Sequence, residues 1–242
     1  MSTFVLVHGA WHGGWCWREV RRLLEDEGHH TIAPTLSSGD VRRFSANHEI
    51  TLDQLVDDAT MVVNSVDEPN IVLVGHSFGG PVISGVAERA RVPISQLVYL
   101  DAAILENGES MFSRLPPEVV SERIVQAERR ENAGFMPLPS AAGLGVDDKE
   151  IWASLASSLT PQPLSTYLSE MELERMPGEG FQCVYIQAIK PAYAPLEWAR
   201  ERARDYGWPM LSIETGHEAM ITAPKVLARL LVSLAACAQP SC

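Results

Sequence analysis

Residues 71–91 constrain the fold most. There the apolar run Ile71-Val72-Leu73-Val74 leads straight into Gly75-His76-Ser77-Phe78-Gly79-Gly80 and then into a helical pattern. An unbroken β-branched run suits a strand covered on both faces, as in a parallel sheet. Glycines two positions either side of Ser77 permit a sharp strand-to-helix turn in which larger residues would collide. Such a turn lifts the serine hydroxyl above the carboxyl edge of the sheet. It also aims the free N–H groups of the next helix at the same spot. Ser77 is therefore the candidate nucleophile.

The two ends of the chain extend this pattern. Strands are predicted over 3–7, 30–33 and 96–100, the last closed by Asp101. Helices are predicted over 17–27, where Val20, Leu23 and Leu24 share a face and Gly28 stops the run, and over 51–66, opened by Thr51. Residues 35–50 read as a loop. Between residues 102 and 180 no strand is predicted, only helical patches carrying Met111, Phe112, Trp152, Leu155 and similar apolar residues. Alternation then resumes with a strand at 182–189, a helix at 195–206, a strand at 209–213 and a last helix at 224–238. The expected architecture is α/β: a mostly parallel six-stranded sheet flanked by helices, built from residues 1–101 and 181–242, with 102–180 inserted as a helical cap after the strand that ends at Asp101.

A length of 242 residues fits one such unit. The 31 acidic side chains outnumber the 19 Lys and Arg, and the net charge of −12 disfavours nucleic acid and anionic membrane as partners. No apolar run is long enough for a signal peptide core or a membrane span. Cys16, Cys183, Cys237 and Cys242 are scattered without a CxxC pair, which suits reduced thiols in the cytoplasm. His8 and His12 are four apart but lack an HExxH pattern or nearby carboxylates, so neither a metal nor another cofactor is expected. The expected partner is a small molecule, with the chain a monomer or homodimer.

A serine on this kind of turn needs a base, and the chain order in this architecture is Ser, acid, His. Of seven histidines only His217 lies late, in a Gly216-containing loop after the last predicted strand. It is the candidate general base. The oxyanion requires two donors: the backbone N–H of Phe78, and one from the loop after the first strand, from Ala10 or Trp11, with Ala10 preferred. His8 in that loop reads as a hydrogen-bonding anchor rather than a catalytic group.

FVLVHGAWHGGWCW, GHSFGG and GHEAMITAPKVLARLL resemble the α/β-hydrolase superfamily, and within it the small branch of plant-type methylesterases, hydroxynitrile lyases and bacterial esterase relatives. The resemblance implies an esterase rather than a lyase. The lyases of that branch carry a hydroxyl residue at the position of Gly9, an acid at that of His76 and a lysine at that of Glu218. It also implies an Asp near Lys190, yet Gln187 to Pro195 holds no carboxylate. Asp101 is the leading substitute because it too emerges at the carboxyl edge of the sheet. Glu197, Glu214, or a Ser–His pair supported by a carbonyl or water remain alternatives.

The apolar cap and the crowd of Trp11, Trp15 and Trp17 favour a small hydrophobic or aromatic ester, with Trp11, His76, Met111 and Trp152 as candidate substrate-binding residues. Two other functions fit the same sequence: a lyase or cyclase using Ser77 and His217, or a receptor-like binding protein with weak turnover.

Overall fold

A computed structural model describes residues 1–39, 50–130, 132 and 134–237. The sheet is formed by β1 (Thr3–Val7), β2 (His30–Ile32), β3 (Ile71–His76), β4 (Ile94–Leu100), β7 (Cys183–Ala188) and β8 (Met210–Ile213), all parallel, in the order β2-β1-β3-β4-β7-β8. The strands alternate their side chains between two apolar layers, as the two-residue period requires. Val5, Val7, Leu73, Leu97, Tyr99 and Tyr185 face one layer. Phe4, Leu6, Val72, Val74, Val98 and Ile186 face the other. Burial on both faces explains why these strands read as continuous apolar runs rather than as alternating ones.

The second layer is covered by α1 (Arg18–Asp26) and α9 (Pro224–Cys237), which pack together beside the short α8 (Ala219–Thr222). The first is covered by α2 (Leu52–Asn64), α3 (Gly79–Arg89) and α7 (Glu197–Asp205). The strand order reverses between β1 and β3, which opens a crevice at their carboxyl ends, the usual ligand position in such sheets. The loop after β1 and the turn after β3 meet there.

Between β4 and β7 lie α4 (Pro117–Glu128), α5 (Lys149–Ala156) and α6 (Leu164–Leu168), together with two strands that the sequence did not suggest. These are β5 (Phe135–Met136) and β6 (Gln162–Pro163), an antiparallel pair of two residues each. Segments so short carry no period, and a proline in one of them argues against a strand. The short α8 was not expected either, and elsewhere the differences fall mainly at element ends. Trp17 closes a 3₁₀ turn (Gly14–Trp17) instead of opening α1, the 35–50 loop begins with another (Ser37–Gly39), and its residues 40–49 lie outside the described residues, as do Ala238 and Cys242. No described helix is long and apolar enough to cross a membrane.

Candidate active site

The turn after β3 is built as its glycines suggest. Ser77 has φ +53°, a left-handed conformation rare for a side-chain-bearing residue. A Cβ at Gly75 would lie 2.5 Å from the Gly79 carbonyl oxygen, so the turn closes only with hydrogen at that position. The turn is tied to the adjacent strand: Ser77 N–H donates to Leu100 O (3.2 Å), and Ser77 O accepts from Ala103 N–H (3.0 Å).

The loop after β1 presses against this turn, and a Cβ at Gly9 would sit 2.9 Å from Ser77 Cβ. Trp11, with φ +64°, fastens the loop to the segment between β4 and β7. Its amide donates to Gln162 Oε1 (3.1 Å), its indole N–H to Pro137 O (3.1 Å), and its carbonyl accepts from Thr160 N–H (2.9 Å). The Trp11 amide is thus engaged with Gln162. His8 accepts Leu36 N–H on Nε2 (3.0 Å) while Nδ1–H donates to Gly9 O (2.8 Å). It anchors the loop and is held away from chemistry.

His217 reaches the serine from the loop between β8 and α8. Its Nε2 lies 3.0 Å from Ser77 Oγ and its Nδ1 lies 2.7 Å from Asp101 Oδ2. Asp101, fully buried with φ +41° at the end of β4, has its other oxygen 2.9 Å from Arg200 Nη2 and 3.3 Å from the Ala188 amide. Burial pushes the Asp101 carboxyl up, but His217 and Arg200 more than offset this and hold it below the usual carboxylate range. Arg200 is itself buried, and also reaches Glu197 Oε2 (2.9 Å) and Tyr193 O (3.0 Å). The Tyr193 ring stacks on the His217 imidazole at 4.1 Å between centroids. A hydroxyl, an imidazole and a carboxylate in one hydrogen-bonded line can generate a serine nucleophile.

A second polar cluster backs the first. Buried Glu218 faces His12 Nε2 at 3.2 Å. Burial raises the Glu218 carboxyl, but His12 outweighs it and draws it down to about 2. Burial lowers His12, yet Glu218 leaves it above the ordinary imidazole value. His76 Nε2–H donates to His217 O (3.0 Å), and burial followed by the neighbouring His217 holds its pKa near 3, so it stays neutral. His76, His217 and Glu218 bring ligand-type atoms within 4.8 Å of one another. Both ring nitrogens of His217 are already engaged, so the group reads as a proton-organising network rather than an open metal centre.

The alpha/beta hydrolase family model matches residues 4–230. The chain belongs to the alpha/beta hydrolase family. Among curated relatives of this hydrolase, a carbendazim hydrolyzing esterase from Nocardioides sp. (strain SG-4G) is 35% identical over 243 residues, covering 97% of this chain and 100% of the relative. Methylesterase 1 of Arabidopsis thaliana is 27% identical over 257 residues, covering 96% of this chain and 95% of its own. An extracellular alpha/beta-hydrolase from a Paenibacillus species has the same fold, with a TM-score of 0.83 at 22% identity over 96% of this chain and 98% of that one. At the level of reaction class, these relatives place the hydrolase among the carboxylic ester hydrolases.

The crevice above Ser77 is a tight cavity of about 30 Å³. Ala10, Trp11, His76 and Met111 of the predicted residues line it. Trp152 does not: it lies half-buried on α5, packed against the apolar core, and an apolar residue on an amphipathic helix carries no mark of which cavity it will face. Of the alternative acids, Glu214 is exposed and paired with Lys190 (2.8 Å), and Glu197 pairs with Arg200 and Arg204. Neither meets His217. The sequence reading missed Arg200, Arg123, Tyr167 and Tyr193. Arg200 and Arg123 sit among other charged side chains in their helices and no motif singles them out, nor does any motif mark the tyrosines.

Proposed function

We propose that this hydrolase cleaves small hydrophobic or aromatic carboxylic esters through an acyl-enzyme on Ser77. His217 Nε2 accepts the hydroxyl proton as Ser77 Oγ bonds to the ester carbonyl carbon, and the carbonyl π electrons move to oxygen. The Phe78 and Ala10 amides donate to that oxyanion. Collapse expels the alkoxide, which leaves as alcohol with the proton from His217. Water, deprotonated by the same imidazole, then attacks the acyl group and releases the acid and free Ser77. Asp101 keeps the His217 Nδ1–H in place and stabilises the imidazolium, though it comes from β4 rather than from the loop near Lys190.

The observation that carries this reading is the continuous line from Asp101 Oδ2 through His217 to Ser77 Oγ, at 2.7 and 3.0 Å. Full-length similarity to an esterase supports it. So does the apolar and aromatic wall of Met111, Leu115, Tyr167 and Tyr193 for the substrate class. Residues 102–180 act as the cap over the site, and the buried free thiols Cys16 and Cys183 support a cytoplasmic setting.

Mixing with p-nitrophenyl acetate should release a burst of nitrophenolate stoichiometric with enzyme, followed by slower turnover. Ser77→Ala should abolish both phases. Ester turnover that survives Ser77→Ala, or binding without any release, would defeat the reading.

A further inference from the structure

The charged groups around the cavity balance one another with one exception. Asp101 faces Arg200 and His217, and Glu218 faces His12. Arg123, on α4, also lines the cavity, yet no ion pair among the described residues includes it. Its guanidinium instead lies over two aromatic faces, 5.5 Å from the Tyr167 ring centroid and 5.7 Å from that of Trp11. Both rings line the same cavity. An arginine held over aromatic rings with no carboxylate beside it can turn its N–H donors toward a substrate carboxylate, although one of them is shared with the Tyr167 hydroxyl. The surrounding surface is strongly acidic overall, so a lone half-buried cation beside the reacting centre is a local reversal of the field.

We infer that Arg123 is an anion-recognition residue of the substrate pocket, and that the favoured substrates are aromatic esters bearing a second, free carboxylate on the ring, which pairs with the guanidinium while the ring lies among Trp11, Tyr167 and Tyr193. This inference rests on the ester-hydrolase reading and narrows it to half-esters of aromatic dicarboxylic acids. Placing the carboxylate against Arg123 fixes the direction of the ring, and so which carbonyl is presented to Ser77. The free acid contributes no reacting atom.

The test compares the three positional isomers of monomethyl benzenedicarboxylate with the corresponding methyl carbamoylbenzoates, which have the same shape without the charge. Rates are normalised to hydroxide hydrolysis of each compound. At least one isomer should be favoured over its carboxamide by tenfold or more in kcat/KM, mainly through KM. The ratio should collapse toward one in Arg123→Gln and be partly retained in Arg123→Lys. A ratio near one for every isomer in the unaltered enzyme overturns the inference, as does a preference that persists in Arg123→Gln. Ser77-dependent turnover of p-nitrophenyl acetate by the unaltered enzyme reports on the hydrolase reading separately, and cooperative thermal melts of Arg123→Gln and Arg123→Lys show that the variants are folded.

Discussion

At the scale of single residues, the site is marked by backbone strain. Trp11, Ser77 and Asp101 all have positive φ; Trp11 and Ser77 line the crevice and Asp101 backs it through His217, and the only other non-glycine case among the described residues is Asn70, just before β3. Each such conformation costs of order 1–3 kcal/mol and persists because the surrounding packing and hydrogen bonds hold it. Asp101→Asn should lower kcat on a chromogenic ester by about 10⁴-fold, because an amide favours the wrong imidazole tautomer. Glu214→Gln, in the exposed pair with Lys190, should change kcat by less than about twofold, since surface pairs of this kind are weak. Ser77 and His217 were legible because motif, chain order and loop position converge on them. Asp101 was one of several candidates, since no local pattern tells which strand end supplies a carboxylate. Arg200 was not legible, because its burial depends on α7 packing over the end of β4.

At the scale of elements, the parallel strands were readable from their apolar runs and the helices from their caps and stops. α2 is the clearest case. Thr51 Oγ1 accepts the Gln54 amide (3.2 Å) and Gln54 Oε1 accepts the Thr51 amide (3.0 Å), closing a capping box. Thr51→Ala should lower stability by about 1 kcal/mol, seen as a fall in Tm of roughly 2–4 °C for a chain of this size. Esterase activity at 25 °C should stay unchanged. β5 and β6 escaped the sequence because their pairing is fixed by what surrounds them, including the hydrogen bond that the Trp11 amide donates to Gln162 Oε1.

At the scale of the whole molecule, buried histidines of opposite preference set the pH response. His8 is held neutral with a pKa near 4, chiefly by burial, and His76 likewise near 3. Below the ordinary imidazole value of 6.5 the unfolded chain binds protons that these two rings refuse, so stability falls as pH drops toward 4. His12, raised by Glu218, works the other way: its contribution is complete below 6.5 and is lost as pH rises through its folded pKa. Depressed Glu218 adds stability that is present above the ordinary value of 4.5 and lost as pH falls toward about 2. Tm measured across pH 4–9 should therefore crest near pH 6.5 and fall more steeply on the acid side, where two groups act against one. A profile still rising toward pH 4.5 would contradict this assignment.

The sequence by itself determined the parallel α/β sheet, the turn that carries Ser77 and the lateness of His217. These follow from local sterics and from burial of both sheet faces, which adjacent residues record directly. Only the tertiary structure decided that Asp101 rather than Glu197 or Glu214 meets His217, that Arg200 holds that carboxylate, that Trp152 turns away from the cavity and that Arg123 turns toward it. Those outcomes depend on which strand ends and helix faces converge on one point. A buried charge is stable only beside partners that the chain delivers from about a hundred residues away, and spacing along the sequence does not record that distance.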